Sequence, residues 1–199
     1  MAIDARQRLI DSTRELLWEK GYAATSPRAI MDRAGVGQGS LYHHFDGKQD
    51  LAGAAFAAAA ADTLARAEAV LSAPGTAPQK IRGYLLRQRN VLLGCPIGRM
   101  SQDAEVLASD PLHRLLTETF GRMRNLVRSV VEAGQRAGEF PTSVDAAELA
   151  ETVLAVVQGG YVLARAQGQP APFGRAVRGA VALIDLTAGT TIPTEKGKP

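Results

Sequence analysis

From Leu51 the chain reads Leu-Ala-Gly-Ala-Ala-Phe followed by five alanines, and 34 of its 199 residues are alanine. Alanine loses no side-chain entropy in a helix, whereas β-branched clusters of strand length are scarce here. The expected fold is therefore all-α. The nearly apolar run from Leu51 to Ala61 has only 11 residues, short of the roughly 20 that cross a bilayer. No transmembrane helix and no membrane partner are expected. The start, Met1-Ala-Ile-Asp-Ala-Arg-Gln-Arg, carries charge where a signal peptide needs an apolar segment, so the expected location is cytoplasmic.

Helix boundaries follow from the punctuation. Apolar residues from Ile3 to Trp18 partly follow a helical period and Gly21 supplies a stop, which predicts a helix over 3–20. Thr25 or Ser26 caps the next, Pro27 suits its first position and Gly35 ends it, predicting 27–34. A shorter third helix follows up to Phe45, then a long one over 48–72. Further helices are expected at 78–94, 100–108, 111–137, 144–167 and 172–188, about nine in total. The tail, 189–199, is expected to be flexible.

Net charge says little. The 23 basic and 20 acidic residues leave +3, with a pI near 9.2, and residues 1–50 balance seven bases against seven acids. Local distribution says more, because no acid occurs from Arg33 to Phe45, and such a strip can approach phosphates. Two short helices joined by a glycine-containing turn, Ala29 to Phe45, have the form of a helix-turn-helix, whose second helix enters the DNA major groove. With Leu41 and Phe45 inward, about 100° per residue turns Gly39 and His43 toward the groove. Ser40 and Tyr42 flank that face. Gly39 removes bulk, His43 and Ser40 can bond base edges, and Tyr42 can bond a phosphate. Gly35-Val-Gly-Gln-Gly-Ser40 also has the look of a dinucleotide loop, but Ser40 replaces the third glycine and no strand precedes it.

Gly21-Tyr22-Ala-Ala-Thr25-Ser26, Ile30, the run from Ala34 to Phe45 and Lys48-Gln-Asp-Leu51 resemble the DNA-binding domain of TetR-family transcriptional regulators over about residues 6–52. The resemblance implies domains at 1–50 for DNA and 51–188 for effector binding and dimerisation. It puts Ser26, Arg28, Tyr42, His44 and Lys48 at backbone-contact positions, and Gln38, Gly39, Ser40 and His43 where bases are read. Gly37, where many members carry serine, departs from the pattern and removes one cap or phosphate contact. The implied partners are a double-stranded operator, a small-molecule effector and a second copy of the chain.

The C-terminal half is less specific. The resemblance implies an effector site between the middle helices and dimerisation through the last two. Leu149, Val153, Val156, Val157 and Gly160 form one apolar stripe, and Phe173, Val177, Val181 and Ile184 another. Both are expected at the dimer interface in an intersubunit four-helix bundle, with Gly159 and Gly160 permitting close approach. Helix faces suggest Leu64, Tyr84, Gln88, Cys95, Met100, His113, Phe120, Met123, Gln158 and Tyr161 for the effector pocket. Gly94-Cys95-Pro96-Ile-Gly98 resembles the LmrA/YxaF-like subgroup, whose members answer to drug-like or aromatic compounds.

The expected function is a repressor released from a palindromic operator by a small, largely apolar effector. Its alternatives are a redox or electrophile sensor using Cys95, a cysteine-dependent enzyme, and a helical adaptor. An enzyme would need a base beside Cys95, and of the three histidines only His113 lies outside the reading helix. No catalytic residue, cofactor or metal is expected, since one cysteine can form neither an intrachain disulfide nor a four-cysteine zinc site.

Overall fold

The structure, a computed structural model, describes residues 4–189. Among them are ten helices and no strand: α1 (Ala5–Lys20), α2 (Pro27–Ala34), α3 (Gln38–His44), α4 (Lys48–Leu71), α5 (Ala77–Leu86), α6 (Pro96–Met100), α7 (Ala104–Leu107), α8 (Asp110–Arg136), α9 (Ala146–Gln167) and α10 (Ala171–Gly189). The expected flexible tail lies, apart from Gly189, outside the described residues. Contacts divide the chain into two compact units, residues 1–65 with 90–122 and residues 66–89 with 123–199. The division falls inside α4 and α8, so compactness groups residues 90–122 with the N-terminal helices.

In the N-terminal unit, α1 packs against α2, α3 and α6. Leu9, Ile10, Leu16 and Leu17 of α1 are buried, with Ile30 and Ala34 of α2 and Leu41 of α3. Ser26 caps α2 by accepting from the Ala29 N–H at 3.2 Å, and Gly35 ends it in the left-handed conformation at φ 62°. In the C-terminal unit, α10 packs against both α9 and α5. Thr76 and Gln79 form a capping box at the start of α5. Asp145 caps α9 by accepting from the Ala147 and Glu148 N–H groups at 2.7 and 3.0 Å. These backbone hydrogen bonds, from Glu148 first, hold the Asp145 carboxyl below its ordinary range.

Two expectations are corrected. The helix expected over 78–94 ends at Leu86, because Arg89 turns back and donates to the Tyr84, Leu85 and Arg87 carbonyls. The helix expected over 100–108 is two short ones, interrupted where Ser101 donates to the Gly98 carbonyl and Asp103 caps α7. Among the described residues, one helix, α9, is long and apolar enough to cross a membrane by length and composition. Its buried face, which includes Val153, Val157 and Ala164, packs against α10 within the C-terminal unit.

Candidate nucleic-acid interface

Helix α3 has only seven residues, too few for propensity to hold it, so packing of Leu41 and the following Phe45 must. Both are buried. That anchor turns Gln38, Gly39, Tyr42 and His43 to solvent and leaves Ser40 and His44 half-buried. Gly37 precedes the helix without a side-chain cap, which is the consequence of the missing serine. No heavy atom lies within 4 Å of the position a Cβ on Gly39 would take. The glycine is therefore not required by packing in the chain itself. The rings of His43 and His44 meet edge to face at 4.8 Å.

Around α3, several cations are engaged in bracing. Arg33 makes two 2.9 Å hydrogen bonds to Glu19, which hold the Glu19 carboxyl below its ordinary range and tie α2 to α1. Arg8 donates to the Ala34 carbonyl at 3.3 Å, at the turn between α2 and α3. Arg14 pairs with Asp62. Ser26 and Arg28 are exposed, with the Arg28 guanidinium 3.9 Å from Asp32. Lys48, at the first position of α4, stands 4.0 Å above the Tyr22 ring and 3.9 Å from the Glu105 carboxylate. Burial first, then Glu105 and Asp103, pushes the Tyr22 hydroxyl up, so it stays neutral.

The turn after α1 is held from far along the chain. Asp103 accepts from the Tyr22 and Ala23 N–H groups at 2.8 and 2.9 Å, and the Trp18 indole donates to the Gly94 carbonyl at 3.0 Å. Arg8, Glu19 and Asp103 are positioning residues that sequence reasoning missed. Nothing in the local pattern marks them, since their partners are 26, 14 and about 80 residues away.

The expected effector residues divide between the units. Leu64, Cys95, Met100, His113 and Phe120 fall in the N-terminal unit, and Tyr84, Gln88, Met123, Gln158 and Tyr161 in the C-terminal one. Met100 lines a shallow apolar cleft with Leu17, Trp18, Phe56 and Pro96. Leu64, Cys95, Met123 and Tyr84 are buried, and Phe120 and Gln158 half-buried. Gln88 and His113 are exposed, Gln88 because α5 has already ended. In the C-terminal unit the Tyr161 and Phe173 rings stack at 4.8 Å.

The apolar stripes of α9 and α10, expected at the dimer interface, pack largely within their own unit. Val153, Val157, Phe173, Val177, Val181 and Ile184 are all at most 9% exposed, while Leu149 and Val156 are half-buried. Gly160 serves the contact between α9 and α10, because a Cβ there would stand 2.9 Å from Phe173 Cδ2. Two residues onward, about 200° around each helix, lie Ala155, Gly159 and Val162 on α9 and Gly179, Leu183 and Leu186 on α10, all exposed.

A short anchored helix presenting uncharged polar groups, braced at both ends, defines a helix-turn-helix DNA-binding regulator. Residues 9–55 match the family described as bacterial regulatory proteins, tetR family, and residues 80–180 that described as tetracyclin repressor-like, C-terminal domain. The chain belongs to the TetR family and is a DNA-binding transcriptional regulator. It is similar to the transcriptional repressor KstR2 of Rhodococcus jostii, 26% identical over 70% of each chain. It is likewise 26% identical to the repressor AcnR of Corynebacterium glutamicum, over 94% of this chain and 92% of that one. A cysteine mutant of the regulator CifR, solved with a 26-base-pair operator, shares the fold at a TM-score of 0.77 and 21% identity, covering 92% of this chain and 97% of that one. The family is one of regulators, not of enzymes.

Proposed function

We propose that this protein is a homodimeric, cytoplasmic repressor released from a palindromic operator by a small, largely apolar effector. Residues 1–50 read DNA, and 51–188 bind the effector and dimerise. The observation that carries the reading is the solvent-facing set Gln38, Gly39 and His43 on a helix whose other side is buried. These residues read bases with Ser40, while Ser26, Arg28, Tyr42, His44 and Lys48 hold the backbone. CifR on its operator is the fold-level analogy for this docking. The LmrA/YxaF-like character of Gly94–Gly98 supports a drug-like or aromatic effector. Cys95 is buried beside Pro96, the environment of an inert thiol, so the switch is reversible binding rather than oxidation.

For the dimer, Val162 and Leu163 at 51% exposure, Leu183 at 66% and Leu186 at 69% support a seam on the outer faces of α9 and α10. Two copies of such a helix pair form a four-helix bundle and give the two-fold symmetry of a palindrome. The test is fluorescence anisotropy of the full chain on DNA upstream of its own gene. The expected result is saturable binding to a palindrome, with a log–log salt slope of several units. Equal affinity for scrambled duplex at every salt concentration would overturn the reading.

A further inference from the structure

We propose that the C-terminal unit holds an oxyanion site centred on Arg87, and that the effector is amphiphilic, an apolar body bearing a carboxylate or phosphate. This deepens the reading of the chain as an effector-released regulator and rests on it.

Where α5 ends, two arginines emerge with different fates. Arg89 is spent on the helix terminus, donating to the Tyr84, Leu85 and Arg87 carbonyls. Arg87 stacks over the Tyr84 ring, its guanidinium carbon 4.9 Å from the centroid. Stacking engages the face of a guanidinium and leaves its in-plane N–H donors unanswered. Arg87 Nε and Nη1 are enclosed and meet no hydrogen-bond acceptor among the described residues. Enclosed donors without acceptors are a standing cost that buried groups in folded proteins rarely carry.

The surroundings supply the rest of a site. Arg89 lies 5.4 Å from the Tyr84 ring and 5.5 Å from that of Phe173, which stacks on Tyr161. Gln158, three residues before Tyr161 on the same face of α9, has a second enclosed donor, Nε2, without an acceptor. The end of α5 and the face of α9 thus each contribute aromatic rings and an enclosed donor, and α10 packs against both helices. Five carboxylates of the C-terminal unit are engaged elsewhere. Asp185 pairs with Arg82, Glu151 with Arg124 and Glu132 with Arg128, while Glu139 and Asp145 accept from backbone N–H groups. A guanidinium so placed selects an oxyanion over a neutral group, because charge-assisted hydrogen bonds are the strong ones.

The test uses the full chain and three matched pairs of probes: octanoate against octanamide, octyl phosphate against 1-octanol, and 2-naphthoate against 2-naphthamide. Affinity is read by calorimetry and by shift in Tm, without DNA. In at least one pair the anion should bind tenfold or more tightly than its neutral partner, and the pair that responds distinguishes carboxylate from phosphate. Arg87→Gln should reduce the anion to the affinity of its neutral partner, and Arg87→Lys should retain part of the preference. Gln158→Leu, which leaves the guanidinium in place, should weaken the anion at least threefold and serves if Arg87→Gln does not fold. Equal binding of anion and neutral partner in all pairs, or an undiminished anion preference in Arg87→Gln or, where that chain does not fold, in Gln158→Leu, overturns the site. The bound anion should also lower operator affinity, and if it leaves that affinity unchanged, its role as effector is overturned. An unliganded chain that binds no DNA overturns the proposed function, a separate outcome from the anion measurement.

Discussion

Helix α3 and the pair α9 with α10 answer opposite questions about how a helix declares its faces. In α3 the two sides differ chemically: Leu41 with Phe45 inward, Gln38, Gly39 and His43 outward. One side alone can be buried at a profit, so the orientation is legible from spacing. In α9 and α10 both sides are apolar. Val153 and Val157 differ little in kind from Val162 and Leu163, and Val177 with Val181 from Leu183 with Leu186. Hydrophobicity alone cannot say which stripe meets the core of the unit and which stays exposed, because the effect is proportional to area and has no direction. A helix amphipathic by chemistry orients itself, whereas one apolar on both sides is oriented by its neighbours.

The sharpest way to break this contrast is to place a charge on each side of the pair. Val157→Glu buries an unpaired carboxylate at a site only 3% exposed and should unfold the subunit, a loss above about 4 kcal/mol. Leu183→Glu, at 66% exposure, should keep the helical circular-dichroism signal and Tm of a folded chain. It should nonetheless elute as a monomer and lose about 10²- to 10⁴-fold in operator affinity. Dimeric Leu183→Glu would put the seam elsewhere.

Adjacent glycines sharpen the same point. In Gly160→Ala the new methyl meets the Phe173 ring, and overpacking should cost about 1 to 3 kcal/mol in thermal or denaturant unfolding. At Gly159 nothing lies within 4 Å. Gly159→Ala should therefore hold or raise subunit stability, by up to about 1 kcal/mol. Similar losses at both positions would remove the distinction between the two faces.

On α3, His43→Ala should lose about 1 to 3 kcal/mol of operator binding and relax preference at one base pair per half-site. Lys48→Ala should weaken all sequences alike and lower the salt slope by about one per site. Selection of bound sequences with each variant distinguishes these outcomes, and equal, preference-free losses would remove His43 from the groove. The smallest effect expected is that of Gly39→Ala. Its methyl meets nothing in the free protein, so Tm should hold or rise, while operator affinity falls by about 1 kcal/mol, the low end of one disturbed base contact. Unchanged affinity would mean that α3 does not approach DNA at that residue.

The sequence by itself determined the all-helical class, the turn glycines at Gly21 and Gly35, the Ser26 cap and the inward face of α3. These depend on backbone conformation and on residues a few positions apart, so the information is local. Only the tertiary structure decided that Asp103 holds the turn after α1, that Arg8 braces the turn before α3, and that Arg89 stops α5 at Leu86. It also decided which apolar side of α9 and α10 is core, and that Arg87 Nε and Nη1 are enclosed without an acceptor among the described residues. Each of those outcomes is a choice between chemically equivalent partners. Such a choice depends on which groups the fold brings within hydrogen-bonding or van der Waals reach, a property that no stretch of sequence carries alone.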